Sequence, residues 1–250
     1  MNKILHNPGE HDHFVQLYDE LDPLAEAVAQ YVDAGLRRGE AAVLIVTAEH
    51  RQAFLSKFDF HDALSAGSLK LLDAQRTLER FMANGMPEWS AFHPIIGGLI
   101  AELRLQYPAV RAYGEMVDVL WQRGEREAAI RLEEFWNELG RLQTFSLFCA
   151  YRMSPLDSDA YGGPLESVCK THTHLISARD AARFDESVRK ASRNVLDQPL
   201  ADILLSLAAN HGHPTCMPAG QAALFWLKQN MPKTCEKVLS ELRAEASPAA

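Results

Sequence analysis

The feature that most constrains the fold is a run of seven uncharged residues, AAVLIVT at 41–47. A continuous aliphatic and β-branched run of this length predicts a strand buried on both faces, because a strand with one solvated face alternates polar and apolar residues. Similar short runs occur at 69–73, 110–117 and 144–151. The sequence therefore predicts a sheet that is covered by other elements on both sides.

The segments between these runs carry apolar residues every three or four positions, which is the spacing of a helix with one buried face. The clearest are Leu24 to Leu36, Phe92 to Leu103 and Leu132 to Leu139. Strands that alternate with helices favour right-handed crossovers. We therefore predict an α/β fold, with a mainly parallel central sheet and helices on both faces. The mixed alternation at 13–19 predicts an additional edge strand.

Beyond a turn-rich connector at 154–164, the sequence from Leu165 onward predicts helices only. Two of these helices begin near Pro218 and Pro232, since proline suits the first turn of a helix. Another carries an apolar stripe made of Leu196, Leu200, Ile203, Leu204 and Leu207. A stripe of this kind must be buried, either on the protein's own core or against a second subunit.

The composition, with 47% apolar and 23% charged residues, is that of a globular protein. A formal net charge of −8 argues against a chain that binds nucleic acid along its whole surface. Residues 1–13 lack the apolar run of a secretory signal, and no later stretch is apolar enough to cross a membrane. The four cysteines form no Cys-x-x-Cys pair, which suits reduced thiols. We therefore expect a cytoplasmic protein.

Several polar side chains follow the predicted strands. In an open parallel sheet, ligands bind beyond the carboxyl ends of the strands, so such residues are candidate ligand contacts. A ring of acidic, hydroxyl and imidazole groups can orient a small molecule, and the alternative is that these residues are solvated loop positions and helix caps. The candidates are Thr47, Glu49 and His50 after the first run, Asp73 after the second, Glu115 near the end of the third and Tyr151 after the fourth.

Catalytic and metal-binding motifs are weak. The position after 41–47 reads T-A-E-H-R and lacks the glycine-rich loop that cradles phosphates, so ATP binding is not expected. No local nucleophile motif occurs, and Cys149 within its apolar run is expected to be a small buried side chain. His211 and His213 precede Cys216, but no fourth zinc ligand is evident. We predict no enzyme, cofactor or metal, and metal binding by this last group stays open.

Three sequence blocks carry a family resemblance: RAYGEMVDVLWQRG at 111–124, AAIRLEEFWNEL at 128–139 and FSLFCAY at 145–151. Together with HFVQLY at 13–18, they resemble the MEDS family, the methanogen/methylotroph sensory domain. The resemblance implies a degenerate relative of the RecA-type ATPase sheet, a three-layer sandwich that senses small, often hydrocarbon-derived compounds. The motif positions that match are His13, Tyr18, Asp73, Arg111, Tyr113, Gly114, Glu115, Met116, Trp136 and Tyr151.

The resemblance implies a tail at 1–12, a sensory domain at 13–176 and a helical region at 177–250. It also implies a non-catalytic protein that binds a small ligand and relays a signal to transcription or to a kinase partner. In this interpretation Glu115 and Arg111 orient the polar part of the ligand, and aromatic side chains cover its apolar part.

The C-terminal helices are expected to form a homodimer and to contact a regulatory protein. Direct nucleic-acid binding is not expected, because no basic recognition helix is present after Asp185. Two alternatives stay open: an interaction module without a ligand, and a weak nucleotide-binding protein.

Overall fold

The computed structural model describes residues 3–57, 59–177, 181–210 and 217–246. The chain divides into two compact units, one ending at Arg152 and one beginning at Met153. In the first unit the helices are α1 (Lys3–His6), α2 (Leu21–Leu36), α3 (Ala48–Lys57), α4 (His61–Ala66), α5 (Ala74–Glu79), α6 (Trp89–Phe92), α7 (Gly98–Arg104), α8 (Met116–Gln122) and α9 (Arg126–Leu142). Its strands are β1 (His13–Tyr18), β2 (Ala41–Val46), β3 (Leu69–Asp73), β4 (Met82–Ala83), β5 (Met86–Pro87), β6 (Val110–Gly114) and β7 (Ser146–Arg152).

The main sheet of the first unit confirms the predicted α/β architecture. Its strands lie in the order β3-β2-β6-β7-β1, and each neighbouring pair is parallel. The strand predicted at 110–117 is shorter than expected, because β6 ends at Gly114 and α8 begins at Met116. Met116 and Val117 are buried side chains of that helix. Because both are apolar, the sequence predicts them as a continuation of the strand.

The first strand lies at the end of this strand order, as predicted, but its side chains are not exposed. All six residues of β1 are buried, including the polar side chains of His13 and Gln16. The mixed polarity of this segment therefore reflects buried polar groups and not solvated ones. Buried polar side chains require partners, and those of His13 are described below.

Helices cover both faces of the sheet. On one face, Tyr31 of α2 packs edge-on against Phe14 and Phe148, and Phe54 of α3 packs against Tyr113. On the other face, α9 lies so close to β6 that a side chain at Gly114 would contact the indole of Trp136. The core therefore consists of two aromatic layers separated by the sheet.

The helix predicted over Phe92 to Leu103 is interrupted. A π-helical turn at His93–Gly97 separates α6 from α7. Proline has no N–H to donate, so Pro94 removes one helical hydrogen bond, and the turn widens until the Gly98 N–H donates to the carbonyl of His93. The apolar periodicity predicted the buried face correctly but not the change of pitch.

The second unit contains α10 (Pro164–Thr171), β8 (His174–Ser177), α11 (Ala181–Val195), α12 (Gln198–Asn210), α13 (Ala219–Asn230) and α14 (Pro232–Ala246). The prediction of helices only was wrong at β8, because four residues are too few to show a period. Helix α12 begins after Leu196, so that residue does not belong to its stripe. Among the residues that the structure describes, no helix is both long enough and apolar enough to span a membrane.

Candidate functional site

One group of predicted site residues meets at the carboxyl ends of β1, β2 and β6. This strand-end cluster consists of Tyr18, Thr47, His50, Tyr113 and Glu115, and it is centred on the Glu115 carboxylate, which is 2% exposed. One carboxylate oxygen accepts the Thr47 N–H at 2.6 Å. The other accepts from the Tyr113 hydroxyl at 3.0 Å and lies 2.8 Å from His50 Nδ1. The carboxylate is therefore held by donors from three segments.

A second buried carboxyl group, that of Asp118, lies beside this cluster. Asp118 accepts hydrogen bonds from the Tyr18 hydroxyl at 2.8 Å and from the backbone N–H of Arg152 at 3.0 Å. Burial raises the pKa of the Asp118 carboxyl, and the nearby charge of Glu115 also raises it, although the hydrogen bonds act in the opposite direction. The cluster is thus rich in carboxyl groups and poor in cations.

His50 is the histidine of this cluster, and its pKa is shifted by the surrounding carboxylates. Burial alone would lower the pKa of His50, but the hydrogen bond and charge of Glu115, with Glu49 and Asp118, raise it above its usual value. A histidine whose pKa is raised on folding stabilises the protein below its unfolded pKa of about 6.5, and this contribution is lost as the pH rises through the folded pKa. The His50–Glu115 pair therefore stabilises the fold most in mild acid.

We expect His50→Ala to lower the free energy of unfolding by about 1.5–3 kcal/mol at pH 6, the range of a charge-assisted hydrogen bond. The loss should shrink toward pH 9, because the contribution of the charged pair falls as the pH rises through the folded pKa of His50. Urea unfolding at both pH values measures the difference. His61→Ala, which removes a histidine on the surface of α4, is the control. An equal loss at both pH values would contradict the role of the charged pair.

A second group, the α9 cluster, lies between β1, β7 and α9 and consists of His13, Glu133, Cys149 and Tyr151. His13 Nε2 lies 3.2 Å from a Glu133 carboxylate oxygen and 3.4 Å from Cys149 Sγ. Cys149 Sγ lies 3.7 Å from the same oxygen, and the Tyr151 hydroxyl donates to the other oxygen at 2.7 Å. Burial raises the pKa of the Cys149 thiol well above its usual value, and the charge of Glu133 adds to this effect.

Sequence reasoning did not find Glu133. Its signal is a single carboxylate on the buried face of α9, between Ala129 and Trp136, where the helical period predicts an apolar side chain. A fully buried charge requires a partner, so this departure from the pattern marks a polar site.

An open cavity of about 440 Å³ adjoins the α9 cluster, and we call it the α9 cleft. His13 and Asn137 lie at the boundary between the two, since both line the cleft and His13 Nδ1 lies 2.9 Å from the Asn137 amide oxygen. The cleft is at the amino ends of β1 and β7, opposite the predicted strand-end position. Its walls are formed by His11, Asp12, His13, Trp136, Asn137, Gly140, Arg141, Phe145 and Leu147.

Arg111 lies apart from both groups. Its guanidinium group is near the amino end of β6, where Nε donates to Glu40 at 2.6 Å and Nη1 donates to the carbonyls of Leu5 and Tyr31, each at 2.9 Å. The structure thus does not bring Arg111 to Glu115, with which it was expected to orient a ligand.

The remaining predicted positions are also separate. Asp73 caps α5 by accepting the Arg76 N–H at 2.8 Å, Glu49 is exposed in the first turn of α3, and Met116 is buried at the start of α8. The group His211, His213 and Cys216 lies outside the described residues.

Comparison with known proteins gives one family. A family model described as the MEthanogen/methylotroph, DcmR Sensory domain (MEDS) matches residues 12–173, which contain β1 through α10 and end directly before β8. No curated protein matches the chain. The matched residues include both the strand-end cluster and the α9 cluster.

Proposed function

Because this chain belongs to the MEDS family of sensory domains, we propose that it binds a small molecule in the α9 cleft and relays the binding to a regulatory protein without catalysing a reaction. The observation that carries the proposal is the cleft itself. Its volume of about 440 Å³ falls within the range of about 300–1,000 Å³ that small-molecule sites occupy. We further propose that the protein acts in the cytoplasm, in the transcription or kinase pathway of its partner.

The lining of the cleft supports a small ligand that has both an apolar part and a polar group. Trp136, Phe145 and Leu147 supply apolar surface, and the polar side chains are His11, Asp12, His13, Asn137 and Arg141. Ligand sites typically combine apolar walls with polar groups that fix the orientation of the ligand. The Asp12 carboxylate disfavours the phosphates of a nucleotide, so the cleft suits a hydrocarbon-derived compound with a polar group better.

The strand-end cluster is the second position for a ligand, as the carboxyl-end rule predicts. Its polar groups already bond to one another, so a ligand there would have to replace the contact between His50 and Glu115. This requirement favours the α9 cleft, where no such exchange is needed.

Filling the cleft from Gly140 should abolish ligand binding. A Cβ atom at Gly140 would meet no atom within 4 Å, and this residue lines the cleft, so Gly140→Leu starts a side chain in open space and directs it into the cleft. We expect at least about tenfold weaker binding, because a lost apolar contact of two methylene groups already exceeds 1.4 kcal/mol. Binding is measured by ligand-detected NMR with short-chain alcohols, amines, aldehydes and haloalkanes, and with ATP.

Gly98→Leu is the matched control, because Gly98 is also a helical glycine with open space around its missing side chain but does not line the cleft. The control should bind as the wild type does. A wild-type protein that binds only ATP would favour the nucleotide-binding alternative. Native mass spectrometry of the protein purified from its native host tests for a retained compound. If no compound is found in that experiment and none of the panel binds, the interaction module without a ligand would be favoured.

The surface for a partner is proposed on α12. Leu200, Ile203 and Leu207 are 41%, 57% and 39% exposed and recur at the helical spacing, so they form one apolar stripe. We propose that this stripe forms an isologous homodimer, the commonest symmetric assembly. A dimer gives a sensory domain a surface through which its state can reach the regulatory protein.

A further inference from the structure

The α9 cluster contains three potential metal ligands that come from three different elements. His13 is at the start of β1, Glu133 is within α9 and Cys149 is in the middle of β7. Their ligand atoms all lie within 4.8 Å of one another, and all three residues are buried. We propose that these three side chains form a binding site for a divalent transition metal, and that the metal is zinc.

The distances between the three atoms agree with a single tetrahedral centre. Ligands about 2.0–2.3 Å from a tetrahedral zinc ion lie about 3.3–3.7 Å from one another. The observed separations are 3.2 Å from Nε2 to the carboxylate oxygen, 3.4 Å from Nε2 to Sγ and 3.7 Å from Sγ to the same oxygen. An ion can therefore enter with shifts of a few tenths of an ångström.

Neighbouring side chains orient two of the three ligands. The Asn137 amide oxygen can only accept, so His13 Nδ1 carries a hydrogen, and in the neutral imidazole Nε2 then presents its lone pair to the cluster. The Tyr151 hydroxyl donates to the Glu133 oxygen that faces away from Nε2. Histidine and carboxylate ligands of metals are typically held by second contacts of this kind.

The charges of the three side chains also favour a divalent cation. A zinc ion with one thiolate, one carboxylate and one neutral imidazole carries no net charge. Such a neutral site costs far less to bury than a site with a net charge.

The ligand types select the metal. Imidazole and thiolate are ligands for zinc and related transition metals, whereas magnesium and calcium prefer oxygen ligands. The α9 cleft reaches His13 and provides a route by which an ion can enter. Metal binding by these three side chains does not depend on a ligand in the cleft.

The test is a titration of the chelator-treated full chain with Co²⁺, a spectroscopic substitute for zinc. We expect near-ultraviolet absorption from a thiolate–cobalt bond that depends on Cys149. The absorption should saturate at one metal per chain and should disappear when Zn²⁺ is added. Cys149→Ser should abolish the thiolate absorption. Tyr151→Phe removes only the hydroxyl that orients Glu133, and it should weaken metal binding by about 10–100-fold.

Two control variants separate this site from other thiols. Cys235→Ser changes another buried cysteine of the described chain, and Cys216→Ser changes the cysteine that follows His211 and His213 in sequence. Both should retain the absorption. The proposal is overturned if the wild type binds no Co²⁺, if Cys149→Ser keeps the thiolate band, or if Cys216→Ser loses it. Cys149 is fully buried, so its replacement can unfold the protein, and circular dichroism checks the fold of each variant. Tyr151→Phe tests the site without altering a metal ligand.

Discussion

Arg111→Met is expected to lower the free energy of unfolding by about 3–5 kcal/mol, the cost of breaking a buried ion pair by removing one partner. The guanidinium group is 1% exposed, and it donates to the Glu40 carboxylate and to the backbone carbonyls of Leu5 and Tyr31. Methionine has a similar length but no donor, so those acceptors lose their partner. Urea unfolding followed by circular dichroism measures the change.

Arg37→Met provides the comparison, because Arg37 also pairs with a carboxylate, that of Asp33, but its side chain is 74% exposed. We expect a loss below about 0.5 kcal/mol for this exposed i,i+4 pair. The packing around Arg111 supports its structural role, since a side chain at Gly35 would come within 2.5 Å of the Arg111 Nε. If both variants lost the same stability, Arg111 would not be a structural centre and a ligand contact would become the better interpretation.

The double variant Ile203→Glu/Leu207→Glu is expected to be a folded monomer, whereas the wild type is expected to be a dimer. Each apolar side chain that loses its burial forfeits about 1.5–3 kcal/mol, and an isologous interface contains each residue twice. The dissociation constant should therefore rise by at least about a thousandfold. Light scattering at tens of micromolar protein distinguishes the two states.

Leu105→Glu is the control for the dimer, because Leu105 is 88% exposed and lies at the end of α7, away from the α12 stripe in sequence. This variant should remain a dimer. A wild-type protein that is monomeric at these concentrations would show that the stripe does not form a homodimer, and it would leave α12 as a surface for a different partner.

The strands were predictable because each carries its signal within a few consecutive residues. A two-sided strand such as β2 must be apolar along its whole length, and no neighbour in space is needed to recognise it. The end of β6 was less clear, because Met116 is equally apolar but belongs to a helix. The boundary between β6 and α8 depends on where the chain leaves the sheet, and this position cannot be read from the apolar character of the residues.

The two clusters differ in how far sequence could lead to them. Thr47 and Glu115 follow neighbouring parallel strands, so their contact follows from the rule that strand ends share one edge. Arg111 and Tyr113 lie two residues apart in β6, about 7 Å along the strand, and this separation directs one toward Glu40 and the other toward Glu115.

The α9 cluster could not be predicted from the sequence for a different reason. Glu133 and Cys149 come from consecutive elements, a helix and a strand, but His13 lies in a strand far earlier in the chain, and no spacing motif connects the three. Only the packing of α9 across β1 and β7 brings them together.

The parallel pairing of β1 with β7 also has a consequence for synthesis. The strand that begins the first unit pairs His13 with Leu147 and Tyr18 with Arg152, at the very end of that unit. At a translation rate of about 5–20 residues per second, β1 leaves the ribosome on the order of ten seconds before its partner does. During that interval an apolar strand has no sheet to join, and contacts between such distant segments also slow folding itself. Chaperone contact with the nascent chain is therefore most useful to this protein before β7 emerges.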